Sequence, residues 1–127
     1  MAKQPLRLKV RLPKYEAPQN EWRKKLHASI MTAIKDSGIE YTTDQKLELL
    51  ITLYLEDPYI RFHDVDNRLK DIMDSLQGRM GGSKKEQQFE RLIPNDSQIY
   101  KVTIRKKKPP IQSHGLGHLE IRKYREV

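Results

Sequence analysis

The stretch Leu47-Glu48-Leu49-Leu50-Ile51-Thr52-Leu53-Tyr54-Leu55 decides the fold. Leu47, Leu49, Ile51, Leu53 and Leu55 recur with period 2, which in an extended chain turns them all to one face. The run stops before Asp57-Pro58, where a residue without an amide proton ends a ladder. It reads as the strongest strand of the chain and as the centre of a sheet.

Working outward toward the N-terminus, Leu6, Leu8, Val10 and Leu12 alternate with Arg7, Lys9 and Arg11, and Pro13 closes the run. This is the pattern of a half-buried strand. Between the two strands, Trp22, Leu26, Ile30, Ala33 and Ile34 fall at helical spacing from about Glu21 to Ser37, with Asn20 as a possible cap and Gly38 as the stop. Trp22 belongs to the core on this phase.

Toward the C-terminus, a second helix is expected from about Asp66 to Leu76, ended by Gly78. Residues 79–91 include Gly81-Gly82 and Lys84-Lys85, lack a clear period and read as a mobile basic loop. Tyr100, Val102 and Ile104 then alternate with Lys101, Thr103 and Arg105, which places Tyr100 in the core. Leu119 and Ile121 mark a last strand. The order β-α-β-α-β-β specifies an α/β (α+β) sandwich, a small mixed sheet with helices packed on it, as one domain over residues 1–127.

The chain has 25 Lys and Arg against 17 Asp and Glu, a formal net charge of +8. An excess of this kind suits neutralisation of phosphates, so nucleic acid is the leading class of partner. Only 36% of residues are hydrophobic, so the core must be economical. There is no cysteine, which excludes disulfides, thiolate zinc sites and cysteine nucleophiles, and leaves oxygen or imidazole to hold any metal. No apolar run approaches the ~20 residues that span a bilayer, and Met1 to Lys9 lacks the apolar centre of a secretory signal. A cytoplasmic protein without membrane contact is the expectation.

The chemistry concentrates between His63 and Gly78. At about 100° per residue, Leu69, Ile72, Met73 and Leu76 form an apolar stripe, and Asp66, Lys70 and Asp74 form a row beside it at i, i+4 and i+8. Arg68, Asp71 and Ser75 then face away as a solvated surface. Asp64 precedes Asp66 by two residues, so in extended chain both carboxylates point to one side. Two such anions repel unless a cation neutralises them, and oxygen ligands favour Mg2+, with Mn2+ possible. Asp96, after Pro94-Asn95 at the start of the next strand, is the third candidate, placed to face the pair across the sheet. A simpler alternative is that Asp64 and Asp66 cap a helix, where the macrodipole favours acids. Lys70 and Asp74 are then a surface i, i+4 pair.

The pattern Asp64-x-Asp66-Asn67-x-x-Lys70-x-x-x-Asp74-x-Leu76, followed by a turn bearing Asp96 and a strand, resembles the RusA family of Holliday junction resolvases, the crossover junction endodeoxyribonucleases. Seven positions agree in type and order over about a third of the chain, and the element order agrees along its length. The resemblance implies that Asp64, Asp66 and Asp96 bind a divalent metal and that Lys70 is required for cleavage. It also implies a homodimer making paired symmetric nicks in a four-way junction during DNA recombination and repair. Asp74, Asn67 and Asn95 stand close enough in the pattern to support the ligands. Three features depart from the family: the turn that often reads Asp-Asp is Asn95-Asp96, the loop over 79–91 is longer, and Lys14 to Asn20 lacks the family's Asn- and Tyr-rich pattern.

For DNA contact the basic side of the third strand is favoured, Lys101 and Arg105 running into Lys106, Lys107 and Lys108, with Lys84 and Lys85 from the loop. These would be phosphate contacts, steep in salt and indifferent to base identity. Two other readings stay open. One is a relative that binds branched DNA without cutting it; the other is a basic RNA-binding domain in which the two acids merely cap a helix.

Overall fold

In the computed structural model the residues described are 7–14, 19–55, 65–78, 90–110 and 117–125. They form a mixed α+β unit with the element order β1 (Leu8–Leu12), α1 (Gln19–Ser37), β2 (Leu47–Tyr54), α2 (Val65–Leu76), a short 3-10 turn (Asp96–Gln98), β3 (Ile99–Lys107) and β4 (Gly117–Lys123). The sheet order is β1-β4-β2-β3, so β2 is interior, as its period predicts. β3 runs parallel to β2, while β4 is antiparallel to both β2 and β1. A parallel neighbour requires a crossover, and α2 supplies it.

One face of the sheet carries the core. Leu8, Val10 and Leu12 of β1, the alternate apolar residues of β2, and Leu119 and Ile121 of β4 are all buried there under Trp22, Leu26 and Ile30 of α1 and Ile72 and Leu76 of α2. The Trp22 Nε1 donates to the carbonyl of Pro13 at 3.1 Å, tying the start of α1 to the end of β1. α1 begins at Gln19, so Asn20 lies inside the helix rather than capping it. Gly78 takes φ 74 just past α2, the left-handed conformation of a helix stop. Gly117 is demanded by contact as well as conformation. Its φ is 142, and a Cβ there would stand 1.8 Å from the carbonyl oxygen of Thr52.

Two expectations fail in β3. The pairing Leu47↔Ile99 is followed by Glu48↔Lys101, so Tyr100 is the extra residue of a bulge. Freed from the alternation, Tyr100 is 54% exposed instead of buried, packs against Tyr124 at 5.5 Å between centroids, and lies beneath the Lys46 ammonium at 5.1 Å. Val102 returns to the helix side of the sheet but stays 36% exposed, because β3 is the edge strand and α2 only partly covers it.

Among the described residues no helix is long and apolar enough to cross a membrane.

Candidate functional site

α2 presents a different face to the core from the one its apolar stripe suggests. Arg68, Asp71 and Ser75 are buried, Asp71 and Ser75 completely, whereas Asn67 and Lys70 are exposed and Leu69, Met73 and Asp74 are half-buried. The helix is thus rotated by roughly a quarter turn toward α1. What drives the rotation is an ion-pair cluster between the helices. Arg23 of α1 donates from Nε to Asp71 Oδ1 at 2.9 Å and reaches Asp74 Oδ2 at 3.4 Å. Arg68 meets the other Asp71 oxygen at 3.3 Å and lays its guanidinium over the Trp22 ring at 5.3 Å. Ser75 Oγ donates to the Asp71 carbonyl at 2.8 Å. A buried carboxylate is costly unless paired, and here two guanidinium groups hold it.

Three consequences follow for the predicted site. Arg68, Asp71 and Ser75, expected on a solvated face, are interior. Asp74, expected to support a ligand, is engaged by Arg23. Asp66 is the second residue of α2 and so lies in its first turn, where a negative charge also favours the helix. Lys70 projects from the exposed row one turn on, and among the described residues no ion pair engages it.

Asp96 belongs to the other end of the helix. The amides of Leu92 and Ile93 donate to the carbonyl of Leu76 at 2.8 and 3.3 Å, and Gln77 Nε2 donates to the carbonyl of Ile93 at 3.0 Å. Ile93 is fully buried, anchoring the approach to the turn. His27, buried on α1, has Nε2 2.7 Å from the carbonyl oxygen of Glu90, so residue 90 is fixed to α1 at the far margin of the loop expected to be mobile; residues 79–89 lie outside the described residues. The 3-10 turn then carries a capping box. Asn95 Oδ1 accepts from the Ser97 amide at 2.9 Å, and Gln98 Oε1 accepts from the Asn95 amide at 3.0 Å. The Gln98 Nε2 also donates to the carbonyls of Thr42 and Gln45, both at 2.9 Å, pinning the turn beside the start of β2. Asn95 is therefore a structural cap, and Asp96 beside it is exposed.

These anchors set the separation of the candidate acids. The Asp66 end of α2 is level with Trp22, Pro13 and hence the C-terminal ends of β1 and β2. The Asp96 turn is level with the N-terminal end of β2, where Ile99 pairs with Leu47. Ten residues of helix from Asp66 to Leu76 span about 15 Å. Six strand steps from Leu47 to Leu53 span about 20 Å. Asp66 thus opens α2 at one end of the sheet, and the segment that leads to Asp96 is held at the other end of that helix. Asp64 and the side chain of Asp66 lie outside the described residues. Among those described, no three acidic or histidine side chains converge as an ion site.

The predicted DNA contacts divide between the two faces of the sheet. Lys101, Arg105 and Lys107 share the face away from the helices, whereas Lys106 pairs in register with Leu53 and leans to the helix side. Lys101 is 3.7 Å from Glu48, and Arg105 Nε donates to Thr52 Oγ1 at 3.2 Å. Lys108 is exposed beyond the strand. Lys84 and Lys85 lie outside the described residues.

No family model matches the chain. No curated protein matches it either.

Proposed function

We propose that this chain is a structure-selective endodeoxyribonuclease that depends on Mg2+ and acts on branched DNA as a homodimer. The observation that carries the reading is the sorting of charge on α2. Arg68, Asp71 and Asp74 are consumed by the interhelix cluster, while the row that begins with Asp66 keeps Lys70 exposed and available to a polyanion. The pattern Asp64-x-Asp66-Asn67-x-x-Lys70, with its resemblance to the junction resolvases, supplies the chemistry for that row.

In this reading Asp64 and Asp66 hold the ion with hard oxygen donors, a set suited to Mg2+. When bound, such an ion polarises the scissile phosphate and lowers the pKa of a water for in-line attack. Lys70, one turn from Asp66, places its ammonium against the negative charge that grows on the phosphate oxygens as one P–O bond forms and the other breaks. Asp96 joins the pair from the second protomer, because in its own chain the segment that leads to it is held at the far end of α2. The homodimer is then a chemical requirement as well as a means of cutting two strands.

The test is nicking of a synthetic four-way junction and of a linear duplex across a Mg2+ titration. Selective cutting of the junction that vanishes with chelator supports the reading. Junction binding without cutting at any Mg2+ or Mn2+ concentration replaces it with a non-cleaving branched-DNA binder.

A further inference from the structure

The face of the sheet away from the helices is uncovered among the described residues, and its charges are unevenly placed. Register pairs Arg11 with His118, His118 with Thr52, and Thr52 with Arg105, so these four side chains form one row across all four strands. Neighbouring strands are about 4.8 Å apart, which makes the row about 14 Å long. The next row toward the strand ends adds Tyr54 and Lys107. Neither row contains an acid. The acids of this face, Glu48 and Glu120, lie in the two rows nearer the other end, where they are bridged by Arg122 at 3.1 and 3.7 Å and, for Glu120, by Arg7 at 3.1 Å. The rows with these acids mix them with Arg7, Lys9, Lys101 and Arg122, whereas the other half of the face is purely cationic.

The cationic half is also ordered. Arg105 is steered by its hydrogen bond to Thr52. His118 meets the Tyr54 ring edge-on at 5.3 Å and 87°. Gly117 sets the register that brings His118 to this row, because no other residue fits against Thr52. The rows lie at the end of the sheet where α2 begins, the same end as Asp66 and Lys70.

We propose that the Arg11, His118, Thr52 and Arg105 row, flanked by Tyr54 and Lys107, is a docking track for the phosphate backbone of duplex DNA, leading to the end of the molecule that carries Lys70. This rests on the chain being a DNA-binding protein and is independent of whether it cuts. Spacing favours a duplex backbone over an isolated anion, since the row presents cationic groups at both ends of a span longer than one phosphate.

His118 gives the track an internal reporter. Partial burial, then the charges of Lys9 and Arg11, hold its pKa below the ordinary 6.5. Thr52 and Tyr54 flank it from β2, Arg105 stands beyond Thr52 on β3, and Glu120 is its neighbour on β4. A bound phosphate offsets the repulsion from Lys9 and Arg11 and raises that pKa. The complex then takes up protons, so affinity increases as pH falls from about 7.5 toward 5.5.

The experiment measures duplex binding in chelator, so that no cutting intervenes, by fluorescence anisotropy at several salt concentrations. The Arg11→Ala, Arg105→Ala double variant should lower the slope of log affinity against log salt by about two and weaken binding about tenfold. The Lys25→Ala, Lys35→Ala double variant, which removes the same charge from exposed positions on α1, should stay within twofold of the parent. NMR titration should show the His118 midpoint moving upward with DNA. Equal losses in the two double variants, or an unmoved His118, overturn the track. Tighter binding to an RNA hairpin than to the DNA duplex overturns the choice of DNA. Absence of any binding by the unaltered chain overturns this proposal and the proposed function together.

Discussion

Asp66 lies in the opening turn of α2, and the segment that leads to Asp96 is held at the other end of that helix, where the amides of Leu92 and Ile93 donate to the carbonyl of Leu76. The proposed site draws its Asp66 and its Asp96 from two chains. Coexpressing Asp66→Asn and Asp96→Asn chains tests this. Each homodimer should be inactive, whereas the mixed dimer should regain one intact site and nick one strand of the junction. If the mixture stays as inactive as its components, the two-chain site is wrong.

Lys70 should separate rate from affinity. It is exposed and unpaired among the described residues, so Lys70→Ala should change stability by no more than about 0.5 kcal/mol. Junction affinity should remain within about twofold, while single-turnover nicking should fall by roughly a hundredfold or more. Equal losses in rate and affinity would reassign Lys70 to simple DNA contact.

Asp71 should behave in the opposite way. It is fully buried between Arg23 and Arg68, and removing it leaves two guanidinium groups facing each other in the core. Asp71→Ala should cost about 3–5 kcal/mol in urea unfolding. A loss below about 1 kcal/mol would mean that the cluster does not hold α2 in its rotated position.

Asn95 links the turn to the activity. Asn95→Ala removes the cap and should cost about 1 kcal/mol. Asn95→Asp keeps a capping oxygen and adds a carboxylate beside Asp96, so the Mg2+ concentration for half-maximal nicking should fall with little change in thermal stability. An unchanged Mg2+ requirement would place this turn outside the ion site.

Much of the fold was legible because it rests on period. The alternation from Leu47 to Leu55 and from Leu8 to Leu12 specifies strands with one buried face, and both are found. What was not legible depends on partners distant in sequence. The pairing of β1 with β4 joins residues more than a hundred positions apart, and no local pattern announces it. Arg68, Asp71 and Ser75 look like a solvated face because charge is normally outside; only Arg23, in helical phase with buried His27 and Ile30, hints that α1 brings a cation to meet them. Tyr100 was misplaced because a single bulge shifts the phase of every residue before it. At the candidate site, the helix from Asp66 to Leu76 could be read, but not that Leu92 and Ile93 return to bond its last residue.

The central claim is metal-dependent cutting by the row that starts at Asp66. Nicking of a four-way junction labelled on opposite strands, with Mg2+ or chelator, compares the unaltered chain with Asp66→Asn most directly. The account predicts paired cuts by the unaltered chain only when Mg2+ is present, and intact junctions that are still bound by the variant. Cutting by Asp66→Asn at the parental rate, or cutting that persists in chelator, would contradict it.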